Sequence, residues 1–283
     1  MPGPLRSYLY VPAHQPHRID KAYASCADAV VLDLEDAVPP PAKDAAREGA
    51  ATVVASRPRK PTFVRVNGLA TGRTDGDIAA VAGPGLAGIR LPKAEHAEEV
   101  RRVAGWLSEA DCPAPVHLLL ESALGVENAF ALARACDITG GISLGETDLA
   151  ADLGAVHEVT LDVARARCVI AARAAGLPGP VQSVFTAVDD LNGLRTSCLR
   201  GKRQGFFGRS AVHPKQLDLI NDIYSPTERE IAEAAALVDV LGAALEDGRG
   251  AALTTDGRFV DAATVRSAHQ ILALAGHSRK EIS

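Results

Sequence analysis

Charged side chains recur where short apolar runs end. Glu35 and Asp36 close AVVLDLED, Arg65 stands inside FVRVN, and Lys93 closes GIRLPK. Glu121 closes VHLLLE, Gly145-Glu146-Thr147-Asp148 follow GISL, and His213 follows GFFGRSAV. One such ending says little, because every strand must reach water. Six that converge on one mouth form a constellation. A buried ion without a partner costs several kcal/mol or shifts its pKa until it is neutral. Asp33, Glu35 and Asp36, at the end of a run that reads as a central β-strand, therefore call for a cation, a set of donors or water.

Glu121 follows Leu118, Leu119 and Leu120, and Asp148 lies just past the next run in a Gly-containing turn. Two carboxylates from neighbouring strand ends, with water and substrate oxygens, suit octahedral Mg2+. Helix capping or solvated loop acids would account for the same residues. Arg65 shares a pleat face with Phe63 and Asn67, so its guanidinium serves either as a partner for Glu35 or as a fork for a substrate carboxylate. Lys93 reads first as a salt-bridge partner. His213 reads as a hydrogen-bonded rim histidine, with general base as its alternative.

These residues need a scaffold that brings distant strand ends together. Eight strand candidates start at Ser7, Ala29, Thr62, Gly88, Val116, Gly141, Val181 and Gly205. Between them lie stretches such as AEHAEEVRRVAGWL and VTLDVARARCVIAARAAG, with apolar residues at helical spacing. The second ends at Gly176 and Pro178, a helix stop. Strands alternating with helices imply a parallel sheet. Eight repeats over roughly 220 residues fit an α/β (β/α)8 TIM barrel, whose working residues sit at the C-terminal strand ends. A doubly wound open sheet is the alternative, weakened because VPAHQPHR stands where a G-x-G-x-x-G turn would follow the first strand.

The barrel is assigned to residues 1–224 and a C-terminal helical extension to 225–283. In the extension, SPTEREIAEAAALVDVLGAALEDGRG reads as a long helix with Pro226 in its first turn. A turn or hairpin follows around Asp256-Gly257, then a last helix from about Ala262. The extension is too small for an independent core, so it is expected to pack on a barrel, its own or that of a neighbouring subunit.

The 283 residues allow a large core, and 47% apolar with 23% charged residues is ordinary for a globular enzyme. A net charge of −5 argues against bulk binding to nucleic acid or anionic membrane. No apolar run reaches the roughly 18 to 20 residues of a membrane span. The start, MPGPLRSYLYVPAHQ, lacks the apolar core of a secretory signal. Five scattered cysteines without C-x-x-C spacing read as reduced thiols of a cytoplasmic protein.

In order along the chain, RSYLYVPAHQPHRIDKA, DAVVLDLEDAV, FVRVN, LPKAE, LLLESALGV, SLGETDLAADLG, AVHPKQ and the tail GRG…DGRFVDAATVRSA appear. This series resembles the citrate lyase β-subunit-like family of CoA-ester lyases, of the phosphoenolpyruvate/pyruvate barrel superfamily. The resemblance implies Mg2+, with Mn2+ as the alternative, held by Glu121 and Asp148. It also implies Arg65 at the substrate oxyanion, and Gly145, Glu146, Thr147 and Asp148 around the 2-oxo acid. Glu35 and Asp36 would stand behind them, binding metal waters or orienting Arg65, with Lys93 beside them. Asp261 in GRFVD resembles a tail aspartate that acts as acid/base at the acyl-CoA methyl, in many members from a neighbouring subunit. Two departures touch the substrate end: Thr147 stands where many members have an acid, and Ala123-Leu124 where many have a Pro-Arg or Ala-Arg pair.

The resemblance thus implies a Mg2+-dependent lyase that cleaves or forms a 3-hydroxyacyl-CoA such as malyl-CoA or citramalyl-CoA, yielding a 2-oxo acid and acetyl-CoA. The alternatives are the β subunit of a citrate lyase complex, an aldolase acting on free 2-oxo acids, and a non-catalytic assembly subunit. A homo-oligomer, a trimer or a multiple of trimers, is the implied assembly.

Overall fold

A computed structural model describes residues 4–155 and 157–280, without the side chains of 277–280. The chain divides into two compact units, Leu5–Asn221 and a second formed by 222–283 with 1–4.

The first unit is built on seven strands: β1 (Ser7–Pro12), β2 (Ala29–Asp33), β3 (Thr62–Arg65), β4 (Gly88–Leu91), β5 (Val116–Leu120), β6 (Thr139–Leu144) and β7 (Arg209–Ala211). They form one sheet in the order β6-β5-β4-β3-β2-β1-β7, every pairing parallel. Helices α1 (Pro16–Ala24), α2 (Lys43–Ala55), α3 (Thr74–Val81) and α4 (Ala97–Glu109) supply the first crossovers. The short α5 (Ala123–Glu127) and α6 (Ala129–Ala133) together make the next. After β6 come α7 (Glu146–Leu153), α8 (Glu158–Ala174) and α9 (Leu191–Gln204), and α10 (Leu217–Tyr224) follows β7. Every residue of β2 is buried, with Val30, Val31 and Leu32 at 0% exposure. Burial on both faces is why AVVL is apolar without alternation.

The expected seventh strand, VQSVF, is not one. Only Gln182 pairs, in a single parallel bridge to Arg209. Its N–H donates to the Gly208 carbonyl at 3.0 Å, and its carbonyl accepts from Ser210 N at 3.0 Å. Pro178 and Pro180 bring no N–H to a ladder, although the Pro180 carbonyl accepts from Phe207 N at 2.9 Å. The eighth candidate is also shorter than read. Gly205 and Gly208 are left-handed at φ +98° and +80°, so β7 starts only at Arg209. Among the described residues no ladder joins β6 to β7, and the sheet is a parallel array of seven strands rather than a closed ring of eight.

The second unit holds α11 (Glu228–Glu246), a small hairpin of β8 (Ala252–Leu253) and β9 (Phe259–Val260), and α12 (Ala262–Lys280). Thr227 and Glu230 form a capping box on α11. Pro226 therefore lies just outside the helix rather than in its first turn. Gly257 takes φ +83° in the hairpin turn. Contrary to expectation, this unit has a core of its own. Ala234, Leu237 and Leu241 of α11 pack with Val260, Val265 and Ala268. The three- and four-residue spacing gives each helix one apolar stripe, and the stripes close on each other.

His117 of β5 shows how tightly the first unit is filled. Its ring stands edge-on to Phe63, with centroids 5.2 Å apart. A Cβ on Gly140 or Gly141 would come within 2.9 or 3.0 Å of its ring nitrogens. Burial, with the nearby charge of Arg90, pushes the His117 pKa down to about 3. The unfolded chain then binds more protons than the folded one between about pH 6.5 and 3, so acidification in that window destabilises the fold. His117→Gln should be the less sensitive protein. Its stability relative to wild type should improve by up to about 1.4 kcal/mol per pH unit on acidification. Parallel urea denaturation curves for the two proteins across pH 7 to 4 would show the idea wrong.

Candidate active site

A cavity of about 400 Å³ opens where the strands end, lined from β1 (Tyr10), β2 (Asp33), β3 (Arg65), the residue after β5 (Glu121), β6 (Ser143) and β7 (Ser210). Residues from both edges of the sheet on one cavity require the sheet to curl.

Arg65 is its cationic centre. Its Nε donates to Asp33 Oδ1 and its Nη2 to Asp33 Oδ2, both at 2.7 Å. Its Nη1 lies 3.0 Å from Glu35 Oε2 and 3.3 Å from Asp36 Oδ2. The reading of Arg65 as oriented by Glu35 and Asp36 thus missed the principal partner, Asp33. That carboxylate is only 1% exposed and also accepts from Glu35 N at 2.9 Å and Ala37 N at 3.1 Å. One buried acid thereby turns the chain at the end of β2 and holds the arginine in a bidentate fork. Burial alone would depress the Arg65 pKa, but the hydrogen bonds and charge of Asp33, then Tyr10 and Glu35, carry it well above the usual range.

Lys93 ties two acids. Its backbone, left-handed at φ 52°, donates N–H to Glu121 Oε2 at 3.1 Å, and its Nζ lies 3.3 Å from Glu35 Oε1. Burial would lower its pKa, but the charge and hydrogen bond of Glu35 raise it. Glu35 itself is raised by burial, with Arg65 opposing and Asp36 adding.

Glu121 is 5% exposed and lies against Gly145, where any Cβ would overlap its carboxylate. Its pKa is pushed up to about 8, first by burial and then by the charge of Glu35, with Asp148 adding and Arg65 and Lys93 opposing. Asp148 and Thr147 lie exposed in the first turn of α7, on the same cavity. Two carboxylates, one of them buried and poorly compensated, form a donor set that a hard divalent cation fits. Among the described residues no three His, Cys, Asp or Glu side chains gather tightly enough to enclose an ion. A cation here would therefore keep positions for water and ligand oxygens.

Glu146 does not join them. Its carboxylate is taken by Arg165 of α8, whose Nε donates at 2.9 Å and whose Nη2 also bonds it. Glu146 is the first residue of α7, where the helix directs it towards α8, and only its backbone N–H turns to Ser183 Oγ at 3.2 Å. His213 Nδ1 accepts from Lys215 N at 3.1 Å, capping the turn after β7. In the second unit, Asp261 caps α12, with Oδ1 accepting from Thr264 N at 2.8 Å and Thr264 Oγ1 at 2.9 Å. These bonds to Thr264 hold its carboxyl below the usual range.

A second cavity, about 670 Å³, shares Tyr10, Ala37 and Val212 with the first and carries His17, Arg18, Lys21 and His213 on its wall. Sequence reasoning singles out neither His17 and Arg18 at the start of α1 nor Lys21 in its last turn. Nor does it find Tyr10, Ser143, Ser183 and Ser210. Tyr10 near the end of the first apolar run was the one visible signal.

An acidic, arginine-centred pocket on a parallel α/β sheet, sharing lining residues with a basic cleft, suits chemistry on small anionic acids. Residues 6–214 match the HpcH/HpaI aldolase/citrate lyase family, and the chain belongs to it. It is an enzyme of the citrate lyase β and CoA-ester lyase kind, whose class is carbon–carbon lyase. A (3S)-malyl-CoA thioesterase of Cereibacter sphaeroides is 35% identical over 277 residues, spanning 96% of this chain and 95% of the relative. The citrate lyase subunit beta of Leuconostoc mesenteroides is 34% identical over 285 residues, 95% of this chain and 93% of the relative. The crystal structure of CitE from Mycobacterium tuberculosis, in complex with magnesium, acetoacetate and coenzyme A, superposes with TM-score 0.80. It is 31% identical, covering 96% of this chain and 98% of that one. No helix among the described residues is long and apolar enough to cross a membrane.

Proposed function

We propose that the protein cleaves, or forms, a 3-hydroxyacyl-CoA bearing a carboxylate beside its hydroxyl, such as malyl-CoA or citramalyl-CoA, with Mg2+ bound. The observation that carries this reading is the shared wall of the two cavities. A pocket with Glu121, Asp148 and Arg65 adjoins, through Tyr10, a basic cleft able to hold the phosphates of CoA. The CitE structure with magnesium, acetoacetate and coenzyme A supports it.

Mg2+, or Mn2+ in its place, would be held by Glu121 and Asp148 and would supply Lewis-acid polarisation of substrate oxygens. Gly145 leaves room for the Glu121 carboxylate, and Thr147 lies where it would meet the 2-oxo acid. Arg65, fixed by Asp33, would face the substrate hydroxyl oxygen as it gains charge on losing its proton. In the cleavage direction the hydroxyl loses its proton as its carbon becomes a carbonyl. The electron pair of the broken C–C bond passes to the thioester enolate, whose carbon then takes up one proton.

Asp261 is our candidate for that last transfer, its carboxylate first taking up a proton from water and then passing it on, with the tail of one subunit completing the pocket of another in a trimer or multiple of trimers. Capping of α12 and proton transfer are compatible, since Oδ1 takes both bonds from Thr264. Mixing Asp261→Ala with Glu121→Gln protein under subunit exchange should restore activity at mixed interfaces. Efficient exchange without recovery would refute a shared site. In keeping with the family resemblance, we take the first unit as a (β/α)8 barrel in which 181–185 stands for the missing strand, and the enzyme as cytoplasmic.

A second reading, thioester hydrolysis, is favoured by the malyl-CoA thioesterase relative. One assay separates the readings. Malyl-CoA, citramalyl-CoA, 3-hydroxy-3-methylglutaryl-CoA and citryl thioester are each supplied with Mg2+ or with chelator. Acetyl-CoA plus a 2-oxo acid supports the lyase, free CoA plus a hydroxy acid supports hydrolysis, and turnover of free 2-oxo acids without CoA supports an aldolase. Turnover of citryl thioester alone supports the citrate lyase subunit. Undiminished cleavage under chelation would overturn the metal-dependent reading.

A further inference from the structure

Arg90 and Arg65 are register partners on β4 and β3, yet their surroundings are opposite. Arg65 is matched by three carboxylates. Arg90 is 1% exposed and has no carboxylate partner among the described residues. Its guanidinium lies over the rings of Tyr8 at 4.5 Å, Tyr10 at 5.6 Å and Phe63 at 5.8 Å. Its Nε has no acceptor, and its Nη1 donates to Tyr10 Oη at 3.0 Å, with a longer contact to Ser210 Oγ at 3.5 Å. Aromatic faces offset part of the desolvation of a cation, but a buried charge lacking a counter-ion is several kcal/mol worse than an apolar side chain of similar size. The placement makes sense if a negative oxygen arrives.

The chemistry of the donors says where. Arginine has no acceptor, so Tyr10 and Ser210 must accept from it, and each hydroxyl keeps one proton to give. Both residues line the acidic cavity, and Tyr10 also lines the basic cleft. An acyl-CoA with its phosphates in the basic cleft and its acyl end in the acidic cavity would bring the oxygen of its thioester to that junction.

We propose that the hydroxyls of Tyr10 and Ser210 form a subsite for the thioester oxygen of an acyl-CoA, and that Arg90 is the positioning residue that orients and polarises them. The inference rests on the acyl-CoA reading above. When the C–C bond breaks, charge collects on that oxygen, where preorganised donors are worth most. Arg90 reaches the ligand only through the hydroxyls.

The test compares acetyl-CoA with S-ethyl-CoA, a thioether that lacks the carbonyl oxygen, in calorimetric titrations of the full-length protein with Mg2+. Wild type should bind acetyl-CoA about tenfold more tightly, the equivalent of one hydrogen bond of about 1.4 kcal/mol. Tyr10→Phe should abolish the preference while CoA itself binds as before. Turnover of the best CoA ester should fall roughly 10²-fold in kcat, as for a lost oxyanion donor, with KM little changed. Ser210→Ala should show the same pattern more weakly. Arg90→Met should match Tyr10→Phe and add little in that background, whereas additive losses would mean that it does not act through the tyrosine. If CoA esters bind and turn over, but Tyr10→Phe and Ser210→Ala keep the wild-type preference and kcat, the subsite is refuted and the lyase reading stands. If wild type binds no CoA thioester, both fall.

Discussion

Glu121→Gln and Asp148→Asn should each lose turnover by roughly 10²- to 10³-fold, the scale of removing one preorganised electrostatic group from a transition state. Both substitutions keep shape and remove charge, so the fold should survive. For Glu121 the expectation extends to stability. A carboxyl whose pKa is raised to about 8 in the metal-free fold binds protons there that the unfolded chain releases above about pH 4.5. Stability therefore declines as pH rises from about 4.5 to 8, and glutamine has no such dependence. Metal-free Glu121→Gln should be at least as stable as metal-free wild type at neutral pH. Saturating Mg2+ should then raise the wild-type Tm, since a ligand at about 100 Kd adds about 2.7 kcal/mol, and should leave the variant nearly unmoved. Parallel thermal melts with Mg2+ and with chelator decide it. A Tm rise in Glu121→Gln equal to that of wild type would show that the ion binds elsewhere, whatever happens to activity.

Arg65→Lys should be almost as damaging. An ammonium offers a point charge where Asp33 takes two parallel bonds from Nε and Nη2 at 2.7 Å. The expected loss in kcat/KM corresponds to about 2 kcal/mol or more. Arg65 also neutralises a cluster of acids, so removing its charge has a second consequence. Arg65→Met leaves Asp33 and Glu35 buried at 1% and 5% exposure without their main cation, and should cost about 3 to 5 kcal/mol of folding stability. The two variants separate the roles. Arg65→Lys with unchanged kcat/KM would reduce Arg65 to a structural part, and Arg65→Met as stable as wild type would refute its place in the ion cluster.

The strand ends were legible because their residues violate the apolar pattern around them. Leu118-Leu119-Leu120 must be buried, so the carboxylate that follows is forced to a rim. The same argument placed Arg65, Lys93 and Asp148. It did not foresee the partner of Glu146, because a residue at a helix start can face either neighbour, and here Arg165, 19 positions later, pairs with its carboxylate. It also read VQSVF as a strand from composition, although only Gln182 forms a bridge there. For the tail it underestimated how two amphipathic helices close on each other around Val260.

By itself, then, the chain determined its alternation of buried strands and helices, and with it the residues that must surface at the strand ends. Those are local consequences of burial and of the period of each element. Only the tertiary structure decided which charges meet. Asp33 rather than Glu35 grips Arg65, from 32 positions away. Arg90 rests among rings and hydroxyls drawn from β1, β3 and β7, up to 120 positions away. Parallel pairing sets such strands side by side through long crossovers. The partner of a buried ion is thus fixed by register and curl, which no run of neighbouring residues encodes.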